Sequence, residues 1–149
     1  WFQWGAWMAD DNRVRMHDFV RQLIRYRKAN LHAFAPREYG LSFAWKSAQN
    51  VDLMDWCRLH LMHDSYDETA GRQIVVLLNM EVAETVEFRL PEGVAWQRVL
   101  DTQSYFDTPG FLDAQATTVS HNIIVAAPEP ITGDTYGVMP RSVVVLEGL

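Results

Sequence analysis

The hydrophobic period of this chain changes once, near Pro36, and that change sets the limits on its fold. Before Pro36, the residues Met16, Phe19, Val20, Leu23, Ile24 and Arg27 recur at the i, i+3, i+4, i+7, i+8 spacing of one buried helical stripe. Asp10, Asp11 and Asn12 place cap oxygens and negative charge at its start, where helix N–H groups lack partners. Arg21, Arg25, Arg27 and Lys28 load its last turns with positive charge, which suits the negative end of the helix dipole. The pattern predicts a helix over residues 11–29, with a solvated basic face.

After Gly40 the period becomes two. Leu41, Phe43 and Trp45 alternate with Ser42, Ala44 and Lys46, and Cys57, Leu59 and Leu61 alternate with Arg58 and His60, as on strands with one buried face. Residues 64–71 read as a polar turn. Ile74 to Leu78 are continuously apolar, as expected of a central strand covered on both sides. Val86, Phe88 and Leu90 alternate with Glu87 and Arg89, and Pro91, Glu92 and Gly93 then turn the chain into a strand over 94–100. Further strands are predicted over 117–126 and 141–147, with Pro128, Pro130, Gly133, Gly137 and Pro140 interrupting the chain between them. Short strands with frequent turn signals predict a mainly β domain, an antiparallel β-sandwich over residues 37–149. The one α-helix precedes it and packs against one side.

Charge and composition narrow the function classes. A net charge of −6 argues against nucleic acid and anionic membranes, because both require a basic face. It is compatible with an uncharged polysaccharide. Cys57 is the single cysteine, so no intrachain disulfide forms, and a cytoplasmic setting is expected. No run of about 18 apolar residues is present to span a membrane, and no basic stretch leads into an apolar one as in a signal peptide. The first residue is Trp rather than Met, which is expected of a piece of a longer protein.

Several short phrases share an order with one enzyme family. Trp1, Phe2 and Trp4 open the chain, and Arg27, Lys28, Ala29 and Asn30 end the predicted helix. Phe88, Leu90 and Pro91 follow, then Trp96, Val99, Asp101 and Thr102, then Pro140 to Leu146. In that order the chain resembles the C-terminal end of a glycogen-debranching, isoamylase-type α-glucan hydrolase of the α-amylase superfamily. Leu31 stands where the family has Pro, and Lys46 and Ser47 follow Trp45 where many members have His and Gly; Asp55 and Trp56 match the Asp-Trp beyond. The resemblance implies an α-1,6-glucan debranching parent whose chemistry sits on an earlier (β/α)8 barrel. Residues 1–36 would then be the last helix and lead-in of that barrel, and 37–149 the C-terminal sandwich. It also places Trp1 and Trp4 near the rim of the substrate cleft, as candidate sugar-stacking residues.

The chain's own residues offer no catalytic set. Glycoside hydrolysis by the common route needs two carboxyl groups about 5 to 9.5 Å apart, one with a raised pKa. Asp52, Asp55, Asp64, Asp67, Glu68, Asp101, Asp107 and Asp113 all fall in turn-like or strand-edge contexts and read as solvated. His60 and His63 point to opposite faces of a strand, so with Asp64 they make no metal site. The stretch from Asp64 to Glu68 lacks the spacing and Gly of a calcium loop, and no phosphate loop or nucleophile motif suggests a cofactor. Cys57 reads as a small apolar strand residue.

Two functions follow from the sequence. One is a structural domain that buries apolar surface against the catalytic barrel of the parent chain and has no activity alone. The other is a carbohydrate-binding sandwich that holds α-glucan through exposed aromatics, a reading that two or three coplanar exposed aromatics on one face would favour. In the first case the helix and the aromatic leader carry a face for that neighbour, and the isolated piece folds the leader back or self-associates.

Overall fold

The computed structural model describes residues 2–34, 42–53, 59–67, 71–102 and 124–149. These residues form helices α1 (Trp4–Met8), α2 (Asp11–Ala29) and α3 (Leu31–Phe34). Eight strands follow: β1 (Ser42–Lys46), β2 (His60–Asp67), β3 (Arg72–Asn79), β4 (Val86–Arg89), β5 (Trp96–Asp101), β6 (Ile124–Pro130), β7 (Thr135–Val138) and β8 (Ser142–Gly148). The predicted strand positions Leu41, Cys57 and 117–123 lie outside the described residues.

Helix α2 begins where its cap signal places it. The Arg13 backbone N–H donates to Asp10 Oδ1 at 3.3 Å, and the Arg13 side chain pairs with the same carboxylate at 3.1 Å. At its other end Asn30 closes the helix: its backbone N and its Nδ2 each donate to Tyr26 O at 3.0 Å.

All strand pairs are antiparallel, in a six-stranded sheet ordered β1-β2-β3-β8-β5-β6 and a two-stranded sheet β4-β7. The fold is mainly β and sandwich-like. β3 is central, and its alternation builds both halves of the core. Val75 and Leu77 join Met62, Val144 and Leu146 against Phe88, Leu90 and Val138 of the small sheet and its exit. Ile74 and Val76 point the other way, with Val99, Leu100 and Val145, onto Phe19, Leu23, Tyr26 and Ala33 of the helices. The large sheet is therefore the middle of three layers. That explains why β3 carries no polar residue between Ile74 and Leu78.

The structure corrects four expectations. Residues 64–67 are not a turn: β2 runs through them to Asp67, and the reversal comes by Gly71 at φ 61°. Their polar groups find partners in the sheet, such as Ser65 Oγ, which donates to Ile74 O at 3.3 Å. In the same strand the core residue is Met62, fully buried opposite Leu77, while Leu61 is half-buried and Leu59, just before the strand, is exposed. Trp45 is exposed rather than inward, because β1 is an edge strand among the described strands and that part of its face lies beyond the core. Finally, β7 occupies a stretch read as broken, and Pro128 and Pro130 sit inside β6, where an edge position among the described strands spares the ladder a missing N–H.

At the end of β3 a buried amide joins the two sheets. Asn79 Nδ2 donates to Glu84 O at 2.8 Å and to Val138 O at 2.9 Å, and its Oδ1 accepts from the Glu81 N–H at 2.9 Å. An apolar residue there would leave two carbonyls and an N–H without their partner.

Candidate functional site

Helix α2 has two apolar faces, and the sheet covers one. Phe19, Leu23 and Tyr26 pack into the helix-side core. Met16, Val20 and Ile24, each four residues from the next, stay 45–54% exposed. Val20 and Ile24 lie in an open groove with His17, Arg21, Arg25 and Lys28. The groove thus has an apolar floor and a basic rim. The spacing of Met16, Val20 and Ile24 suggested a single stripe with the buried residues; the structure divides that stripe in two.

The aromatic leader extends this open face. Phe2 is 58% and Trp4 64% exposed. Trp7 is better covered and meets the His17 ring edge-on at 5.9 Å, which holds α1 against the start of α2. Phe2, Trp4 and Trp7 form a mutual cluster with ring separations of 4.7 to 6.3 Å and interplanar angles of 51 to 73°. Such tilted rings make no flat stacking platform. Of the two candidate sugar-stacking residues, Trp4 therefore presents an edge-packed ring, and Trp1 lies outside the described residues.

Among the described residues, Asp64, Asp67 and Asp101 are not placed as a hydrolytic pair, and all three are less solvated than the sequence suggested. Asp64 accepts from Lys46 Nζ at 3.0 Å and from Gln73 Nε2 at 2.5 Å. Asp67 is buried, and Asp101 accepts from Tyr136 Oη at 3.1 Å. They are strand residues, and strand residues three apart, such as Asp64 and Asp67, face opposite sides. Asp101 lies three strands away from β2, about 14 Å at the usual spacing, beyond the range of either hydrolytic geometry. Asp52 is exposed, while Asp55, Glu68, Asp107 and Asp113 lie outside the described residues.

The histidines take separate partners. His60 Nε2 lies 3.2 Å from Glu81 Oε1, whereas the His63 ring packs against Trp45 at 4.8 Å. Burial pushes the His63 pKa below its ordinary value, and the Asp64 charge opposes this only in part. Among the described residues no three His, Cys, Asp or Glu side chains converge on a metal position. No helix among them is long and apolar enough to cross a membrane.

Two polar groupings join side chains of separate elements and were not expected from the sequence. Tyr26, Asn30, Arg72 and Glu147 form a half-buried network between helix and sheet. Lys46, Asp64, Tyr66 and Gln73 line a second small cavity with Ala44. The alternation of Met62, Asp64 and Tyr66 on one strand face was the available clue to the latter. Compared with models of known protein families and with curated protein sequences, the chain matches none.

Proposed function

We propose that this chain is a non-catalytic C-terminal piece of an isoamylase-type, α-1,6-glucan debranching glycoside hydrolase, whose role is to seat against the catalytic (β/α)8 barrel. The observation that carries this reading is the second apolar face of α2, formed by Met16, Val20 and Ile24 beside exposed Phe2, Trp4 and Met8. Exposed apolar side chains on one helix and on the leader packed at its start are the kind of surface that marks a contact. The motif order from Arg27 to Leu146 supports the barrel of the parent chain as the partner. The tilted geometry of the leader aromatics weighs against the alternative, a glucan-binding module working through a coplanar platform.

The test is complementation. The 149-residue chain is co-expressed with an isoamylase-type barrel that lacks its own C-terminal domain. Co-purification of the two, with release of reducing ends from a branched glucan, is the expected result. The chain alone is expected to release none. Failure of the two to associate, or turnover by the chain alone that is lost on mutating one of its own carboxylates, sinks the reading.

A further inference from the structure

The face of the large sheet that carries Met62, Val75 and Leu77 into the core changes character toward one end. There Ala44 stands opposite Asp64, and Tyr66 opposite Gln73, with Lys46 reaching Asp64 from the edge strand. These five residues line an open cavity of about 250 Å³. That is below the range of about 300–1,000 Å³ for drug-sized ligands and suits a single ring. Every lining residue sits on a strand, so the polar groups are held in place rather than carried on loops.

The chemistry of the cavity selects its ligand class. Lys46 and Asp64 are paired at 3.0 Å, with side chains only 21% and 12% exposed, so the lining has no net charge. A bare anion would meet the Asp64 carboxylate, and a bare cation the Lys46 ammonium. The lining still offers both kinds of hydrogen-bonding group: ammonium protons on Lys46 and acceptor positions on Asp64 and Gln73. Tyr66, a residue 43% exposed, adds an aromatic side chain whose hydroxyl has no partner among the described residues. Fixed donors and acceptors beside an open aromatic face, with charge cancelled, match a neutral polyhydroxylated ring. The ring's C–H face packs on Tyr66 while its hydroxyls replace water on Lys46, Asp64 and Gln73.

We propose that this cavity is a binding site for one neutral pyranose unit of a carbohydrate, separate from the leader aromatics and from the α2 face. The site stands on the cavity alone. The use of maltotriose as first probe rests on the function proposed above.

The experiment is a titration of the full chain, followed by two-dimensional amide NMR, with maltotriose and then with methyl glycosides of glucose, galactose and mannose. Saturable shifts centred on Ala44, Lys46, Tyr66 and Gln73 are expected. Tyr66→Ala, a change at an exposed side chain, is expected to weaken binding by about tenfold or more. Lys46→Met provides a second variant with the same expected direction. No saturable shift with any of these sugars overturns the site, and so does binding that Tyr66→Ala leaves unchanged. Shifts centred on Phe2, Trp4 and Trp7, or a stronger response of the same amides to inorganic phosphate or calcium, also overturn it. Saturation by a galactoside or mannoside without maltotriose supports the site and counts against the glucan reading. Ile24→Glu separates the two proposals: it should abolish barrel association and leave sugar binding intact.

Discussion

Tyr26 Oη donates a hydrogen bond of 2.8 Å to Glu147 Oε1, joining the last turns of α2 to β8 across 121 positions of sequence. Arg72 completes the link, with Nη1 3.7 Å from Glu147 Oε2 and Nη2 donating to Asn30 Oδ1 at 2.6 Å. Helix and sheet are therefore held in one register by polar contacts as well as by the apolar packing of Phe19 and Leu23. Tyr26→Phe keeps the ring and removes the donor to a charged acceptor. It should destabilise the chain by about 1–2 kcal/mol, because Glu147 keeps Arg72. Urea unfolding measures this, and a change within error would mean that the bond contributes nothing net.

The same residue predicts the alkaline behaviour. Burial, and then the negative charge of Glu147, push the Tyr26 phenol far above its ordinary pKa of 10.0. Above pH 10 the unfolded chain releases this proton while the folded chain keeps it. The folded state then binds more protons, so stability falls as pH rises. Tyr136, raised chiefly by burial, adds in the same direction. Unfolding curves between about pH 9 and 11 should show this decline, with a shallower slope in Tyr26→Phe. Identical slopes in parent and variant would exclude Tyr26 as a contributor.

These two residues also show what a linear reading reaches. The span of α2 was legible because its period, caps and end charges are all local to residues 10–30. The central place of β3 was legible because only a doubly covered strand stays apolar from Ile74 to Leu78. Which face of β2 is buried was not legible, since Met62 is inward through its pairing with Leu77 and not through any neighbour in sequence. β7 was hidden by Gly133, Gly137 and Pro140, which read as breakers where a four-residue ribbon sufficed. The cavity at Asp64 and the Tyr26 network join residues from separate elements, and a periodicity cannot place those side by side.

Gly148 tests the close packing on the sandwich side. It pairs with Trp96, whose indole N–H donates to Pro91 O at 3.0 Å and so holds the ring in place. A Cβ added at Gly148 would overlap Val94 Cγ1 and come within 3.3 Å of the Trp96 ring. Gly148→Ala should therefore destabilise by about 1–3 kcal/mol, the usual effect of forcing an extra carbon into a filled site. Thermal unfolding should show a loss of roughly 2–4 °C per kcal/mol in a chain of this length. A variant that melts with the parent would show that Val94 moves aside freely.

Adjacent positions on α2 give the sharpest test of the docking face. Leu23 packs into the helix-side core, whereas Ile24, one residue on, is 49% exposed. Leu23→Ala removes buried apolar surface and leaves a partial cavity; for a half-buried site the loss should be about 2 kcal/mol. Ile24→Glu places a charge in solvent beside Arg21, Arg25 and Lys28 and should change stability by no more than about 0.5 kcal/mol. The order reverses for association. Ile24→Glu puts a carboxylate into the apolar floor of the groove, so it should abolish co-purification with the barrel, because docking would strip that charge of water. Leu23→Ala should bind as the parent does under conditions where it stays folded. Urea unfolding and a pull-down of both variants decide the matter. If Ile24→Glu unfolds the free chain, the second face is already covered within it and is not a docking surface.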